Sequence, residues 1–204
     1  LPARGAWLAH LELSADAAVS GAVVVQVASE SGAPVTFHGT VIDGAAYEGR
    51  ALAVALGGTG GLLGETTADH ERAAPTGVTG YRLVAGLLAG AGEAEAPDLE
   101  QSLFGIEVAR WARAAGETWE RALGRATARL GVTWRVLDTG AIWAGTDLFF
   151  EAALDGRELD VDSDDRRVDF SFTAATARPG TTIDGRRISR VTFGAEGRGA
   201  LLYY

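Results

Sequence analysis

Period-2 alternation dominates the first third of the chain and limits its fold more than any other feature. Trp7-Leu8-Ala9-His10-Leu11-Glu12-Leu13 sets apolar and polar residues in turn, the pattern of a strand with one face in a core. Ala22 to Val27 is a β-branched run, Val35 to Ile42 alternates again, Asp43-Gly44 reads as a turn, and Arg50 to Leu56 follows as another strand. Strands at this spacing, punctuated by turn signals, predict a small antiparallel barrel or sandwich. Gly57-Gly58-Thr59-Gly60-Gly61 closes the block. It carries no Gly-Lys-Ser/Thr and lacks the spacing of a dinucleotide turn, so it reads as a loop or hinge.

The pattern then changes to helix. Thr79 is placed to cap a helix over Tyr81 to Ala89, with Gly90 and Gly92 ending it. Glu93 to Asp98 is a polar connection, and Leu99 to Ala115 reads as an untidy helix. Thr118 to Leu130 is the clearest helix, because Trp119, Ala122, Leu123, Ala126 and Leu130 recur on one face and Gly131 supplies the stop. Arg121, Arg125 and Arg129 form a row on its other face, read as a solvated face or as a docking edge for an acidic neighbour.

The last third returns to β. Val132 to Leu137 and Ala141 to Ala144 flank Asp138-Thr139-Gly140 as a hairpin, with Trp134 on its apolar side. Val168 to Thr173, the pair Thr181-Ile183 and Ile188-Phe193 around Asp184-Gly185, and Leu201 to Tyr204 read as further strands. The expected class is α+β, mainly β, with two small antiparallel β-barrel-like regions flanking a helical segment. The expected division is 1-75 for the first β-barrel-like region, 76-130 for the helical segment and 131-204 for the second β region.

Composition narrows the chemistry. The 204 residues hold 18 basic side chains, all Arg, against 27 acidic ones, for a net charge of −9, and Cys and Met are absent. Without Cys there is no disulfide framework, thiolate metal site or cysteine nucleophile. Without Lys there is no Schiff base and no P-loop lysine. An acidic chain is a poor general nucleic-acid binder. No stretch approaches the roughly 20 apolar residues of a membrane-spanning helix. The chain opens on Leu1-Pro2 rather than Met, and a trimmed start is the expectation.

Three clusters invite a chemical reading. Asp138-Thr139-Gly140 has the form of the aspartic-protease signature, which needs two such aspartates; with one in the chain, the site requires a symmetric dimer, and a hairpin loop is the simpler reading. Asp160, Asp162 and Asp164 alternate like the first ligands of a calcium loop, but Asp165 stands where the loop needs Gly and Ser171 where it needs Glu. The stretch 155-169 is therefore read as a solvated acidic loop, with a loose cation site or a contact to a neighbour's Arg row as the sharper alternatives. His10, His38 and His70 show no metal-ligand spacing. No catalytic, cofactor-binding or metal residue is assigned.

The middle and last thirds carry a family resemblance. A helix is followed by Leu130-Gly131-Val132-Thr133-Trp134-Arg135-Val136-Leu137, a turn, and Ala141-Ile142-Trp143-Ala144-Gly145; Tyr81 to Gly92, Arg178 to Ile188 and Phe37-His38-Gly39-Thr40-Val41 add three shorter pieces. This order resembles the baseplate hub proteins of phage tails, the late control protein D-like group. The resemblance implies a non-enzymatic subunit of the virion tail, assembled in the host cytoplasm. It implies a homo-oligomer, a trimeric ring, that joins the tail tube protein to spike or tip proteins without cofactors or specific nucleic-acid binding. Arg121, Arg125, Arg129, Asp160, Asp162 and Asp164 are the candidate subunit contacts. Two rival readings are a dimeric aspartic-type protease using Asp138 and a β-scaffold module that binds carbohydrate or a cell surface through exposed Trp and Tyr.

Overall fold

A computed structural model describes residues 4–14, 17–27, 34–66, 70–114, 116–148, 150–151, 156–161, 167–172, 178–194 and 198–204. The alternating segments form strands β1 (Leu8–Ser14), β2 (Gly21–Val27), β3 (Val35–Tyr47) and β4 (Arg50–Gly57). They pair antiparallel in the order β1-β4-β3-β2. Asp43-Gly44 does not turn the chain. β3 runs through it with a bulge between Val41 and Asp43, and the reversal falls at Glu48-Gly49, both in the left-handed region at φ 48° and 77°. Continued pairing with β4 outweighs the local turn preference, and a bulge absorbs the extra residue.

Next come β5 (His70–Thr79), α1 (Gly80–Ala91), α2 (Leu99–Ser102), β6 (Glu107–Arg113) and α3 (Trp119–Leu130). The helix expected over Leu99 to Ala115 is thus one short turn and then a strand. Gly105, at φ 74°, breaks it, and β6 pairs with β5. The other two helices follow their signals. Thr79 and Thr118 cap α1 and α3 by accepting from the Arg82 and Arg121 N–H groups at 3.3 and 3.2 Å, and Gly92 and Gly131 end them in left-handed conformations. The α3 face of Ala122, Leu123, Ala126 and Leu130 is buried.

β7 (Thr133–Val136) and β8 (Ile142–Gly145) form the hairpin around Asp138-Thr139-Gly140. The rest of the chain, β9 (Phe150–Glu151), β10 (Gly156–Val161), β11 (Arg167–Phe172), β12 (Thr181–Ile183), β13 (Arg186–Phe193) and β14 (Arg198–Tyr203), joins in a six-stranded sheet of order β10-β11-β14-β13-β12-β9. The class is α+β, mainly β, with a curled antiparallel half-barrel sheet. The stretch read as an acidic loop is in part strand. Asp160 lies in β10, in register with Asp169 of β11. Asp162 and Asp164 lie outside the described residues.

One core runs through most of these elements. Trp7, Phe37 and Ala55 from the first sheet meet Leu83, Val84, Leu87 and Leu88 of α1, Leu123 and Ala126 of α3, and Trp134 and Ile142 of the hairpin. A smaller cluster of Ile183, Ile188, Val191 and Leu201 lies within the second sheet, and Val27, Val35 and Phe193 pack against both. Trp7 is packed against bare backbone. Its indole lies on Gly39 and Gly57, where an added Cβ would sit 2.7 Å from the ring's Cη2 and 2.5 Å from its Nε1. Gly39→Ala should therefore cost about 1–3 kcal/mol by overpacking, and Trp7→Ala about 3–5 kcal/mol by leaving a cavity. Urea unfolding checks both; a neutral Gly39→Ala would contradict this packing.

Candidate assembly surface

The inward faces of β1 to β4 are covered by the core, and the outward faces are not. The outward face carries Leu8, His10 and Glu12 of β1; Arg50, Leu52 and Val54 of β4; His38 and Tyr47 of β3; and Val24 of β2. Ladder register sets these side by side, with Leu8 opposite Leu56, Glu12 opposite Leu52 and His38 opposite Val24. Leu8, Leu52 and Val24 are 50%, 57% and 53% exposed, and Ile42 and Tyr47 are exposed with them. Among the described residues, most of the exposed large apolar groups outside the hairpin and the second sheet lie here. Clustering separates this face from the scattered exposed leucines of any surface. Among the described residues its one ion pair, Arg50 to Glu12 at 2.6 Å, is internally neutral and largely exposed.

β2 adds an edge. It ends its sheet, and among the described residues no strand pairs with its outer side. Its sequence, Gly-Ala-Val-Val-Val-Gln-Val, holds neither a charge nor a proline, the usual protections of a free edge. β10, which ends the other sheet, holds Arg157, Glu158 and Asp160.

The Arg row on α3 is exposed as the helical spacing requires, but its members do different work. Arg125 grips Glu117 with two bonds, Nε to Oε2 at 3.0 Å and Nη2 to Oε1 at 2.7 Å. It also donates to the Ala112 carbonyl at 3.0 Å and lies over the Trp111 ring. Arg125 thus ties α3 to β6. Burial alone would push the Glu117 carboxyl up, but the Arg125 bonds, the Ala114 N–H at 2.8 Å and the charges of Arg125 and Arg121 hold it below the ordinary glutamate value. Arg121 opens onto a groove beside Trp134, and Arg129 sits in the last turn of α3, where a cation meets the negative end of the helix.

The remaining candidates take structural positions. Asp138 is exposed, and its carboxylate accepts from the Thr139 N–H at 2.9 Å, closing its own turn; its carbonyl accepts from the His38 N–H at 2.8 Å, so the turn caps the end of the first sheet. The Trp residues do not form an exposed platform. Trp7, Trp111 and Trp134 are buried, and Trp119 and Trp143 are half-covered beneath Arg113 and Arg135. The glycine loop holds an anion from within: Glu93, buried, accepts from the Thr59 N–H at 2.8 Å and the Leu62 N–H at 3.3 Å. The sequence signal for that contact is a Glu directly after the helix-ending Gly92. Among the described residues no group of His, Asp and Glu is arranged to hold a metal ion, and no helix is long and apolar enough to cross a membrane.

No protein-family model matches the chain, and no curated protein matches it. Among solved structures, the chain is similar to the crystal structure of the 43 kDa tail protein of prophage MuSo2 from Shewanella oneidensis. Identity is 14%, the TM-score is 0.45, and the match covers 74% of this chain and 47% of that one. The chain thus spans about half the length of that tail protein.

The Glu117 contact has a defined pH signature. Because its folded-state pKa is depressed, its stabilisation is complete above the unfolded value of about 4.5 and is lost as pH falls through the folded value. Glu117→Gln should cost about 1–3 kcal/mol near neutral pH. Thermal melts of the two proteins should converge on acidification below the unfolded value; a gap that stays constant would exclude this role.

Proposed function

We propose that the chain is a structural subunit of a phage tail or phage-tail-like particle, placed in the baseplate or tip hub. There it forms a ring that joins the tail tube to the spike or tip. The observation that carries the reading is the outward face of the first sheet, apolar and bordered by the uncharged edge of β2, on a protein of net charge −9. Two copies of so acidic a chain repel through most of their surfaces. A face whose ion pair is internally neutral is where apolar contact meets least opposition. Such a sheet face and edge suit burial against another subunit and strand addition. Several of the segments that carry the family resemblance meet in space. The α3–β7–β8 unit and the Phe37-Gly39 strand share one core, with Gly39 giving the close approach to Trp7.

The trimeric ring, the tube and spike partners and the virion location belong to this proposal. So does a share for the Arg row and for Asp160, Asp162 and Asp164 in contacts between copies. Mass photometry and negative-stain images of the purified protein should show rings, or co-assembly with a tube protein. Val24→Asp and Leu52→Asp should abolish assembly while shifting stability by no more than about 0.5 kcal/mol, as exposed substitutions do. A stable monomer that ignores tube protein at every concentration would sink the reading.

A further inference from the structure

Phe104 is 87% exposed, the most exposed large apolar side chain among the described residues. It stands at the turn after α2 and lines an open cleft of about 490 Å³ together with Pro97, Asp98, Glu100 and Gln101. The turn itself is fixed from below. Leu99 and Leu103 are fully buried, and the Ser102 hydroxyl bonds the Ala144 carbonyl of β8. The Phe104 N–H donates to the Gln101 carbonyl and the Ile106 N–H to the Leu103 carbonyl, both at 3.2 Å. The fold therefore buries the neighbours of this ring and holds the ring itself in water, on a rigid support.

The rim of the cleft is negative. Asp98 and Glu100 are exposed. Among the described residues the carboxylates paired with arginines are Glu12, Glu117, Asp147 and Asp169, and neither Asp98 nor Glu100 is one of them. Their field extends toward α1. Glu95 accepts from the Tyr81 hydroxyl at 3.3 Å, and the charge of Glu95 foremost, with that of Glu100 as a smaller cause, pushes the Tyr81 hydroxyl above its ordinary pKa.

Apolar walls and a carboxylate rim together decide what fits. A wholly apolar occupant would desolvate Asp98 and Glu100 without giving them a partner. A bare metal ion would gain nothing from Pro97 and Phe104, and among the described residues no group of acidic or His side chains is arranged to hold one. A long cationic side chain meets both demands, with its aliphatic stem along the apolar walls and its charged head at the rim. Arginine suits the site better than lysine, because its plane stacks on a ring while its edge forks onto a carboxylate. The chain itself uses that stacking at Arg113–Trp119 and Arg135–Trp143. A second copy is disfavoured as occupant, since at net charge −9 it would bring a further acidic surface against this one.

We propose that the cleft of Pro97, Asp98, Glu100 and Phe104 docks an exposed arginine of a basic partner protein, with the guanidinium stacked on Phe104 and paired with Asp98 or Glu100. The inference goes beyond the hub reading and holds whether or not the chain forms a ring.

An NMR titration of the isotope-labelled full chain tests it. The probe is the capped peptide Gly-Arg-Gly-Arg-Gly, with the same peptide carrying citrulline for arginine as its uncharged counterpart. The arginine peptide should move amide signals gathered at residues 95–104, and the citrulline peptide should not. Phe104→Ser and Glu100→Gln should each weaken the binding by at least about tenfold, the loss expected for a central contact. Glu120→Gln, an exposed carboxylate on α3, should leave it unchanged. Phe104→Ser keeps every charge, so its loss of binding separates the cleft from general attraction to an acidic chain. Shifts spread evenly over acidic segments, or affinity equal in wild type and Phe104→Ser, overturn the proposal. So does self-association that Phe104→Ser abolishes in sedimentation velocity, which would give the cleft to a second copy.

Discussion

The seating of Trp7 on bare backbone is the constraint on which the rest of the architecture depends. The indole lies within 3 Å of where Cβ atoms would stand at Gly39 and Gly57, so β3 and β4 approach it as no side-chain-bearing strands could. The same short segment is hydrogen-bonded in two directions. The Trp7 carbonyl accepts from the Gly57 N–H at 3.0 Å, and Gly5 exchanges bonds with β7, donating to Trp134 at 2.8 Å and accepting from Val136 at 3.1 Å. Residues 5–7 therefore join the first sheet to the helix-and-hairpin block. Glu93 closes a second joint between the same parts, its carboxylate taking N–H groups from the glycine loop while its backbone N–H caps α1 through the Leu88 carbonyl. With two fixed joints, one core forms across elements that are far apart in sequence.

What the sequence made legible was local. Alternation located β1 to β4, the capping threonines and terminal glycines located α1 and α3, and the Asp-Thr-Gly hairpin formed where its flanking strands required it. The misreadings occurred where a long-range partner decided the outcome. Val108 and Trp111 are three apart and suit a helix, yet the segment is β6 because β5 offers it a ladder. Asp43-Gly44 is a sound turn signal that continued pairing with β4 overrides. The candidate surface was the least legible part. Leu8 and Leu52 look like core residues in any one-dimensional pattern, and only ladder register places them together on the uncovered face. Nor did spacing separate Arg125, spent on Glu117, from Arg121, open to a groove.

An all-arginine set of cations shapes the packing as well as the charge. Guanidinium groups lie over aromatic rings at Arg113–Trp119, Arg135–Trp143 and Arg186–Tyr203, with centroid distances of 4.4, 4.3 and 5.5 Å. A planar, weakly hydrated cation can stack in this way and keep its in-plane hydrogen bonds; an ammonium cannot do both. Arg135 shows the consequence. While covering Trp143 it pairs with Asp147, and it fills the space beside Gly180, where an added Cβ would meet its Nη1 at 2.8 Å. A single side chain thereby connects the hairpin to the entry of the second sheet. Arg178, pushed down in pKa by burial and supported by Asp138, lies over Phe37 and adds a parallel link. Among the described residues the Trp surface is thus largely covered from within, and the aliphatic sheet face is an apolar area left open to a partner.

That open face is limited in a way that fits selective contact. An uninterrupted apolar sheet with a free edge would pair with any exposed strand. Here the bulge at Val41–Asp43 breaks the register, and His10, Asp43 and the Glu12–Arg50 pair divide the apolar groups into short rows. Contact with an arbitrary surface would strand those polar groups, at a cost comparable to the apolar gain. A complementary surface would satisfy them. Net charge adds a second filter, because repulsion between acidic copies is overcome only when several neutral or oppositely charged contacts form together.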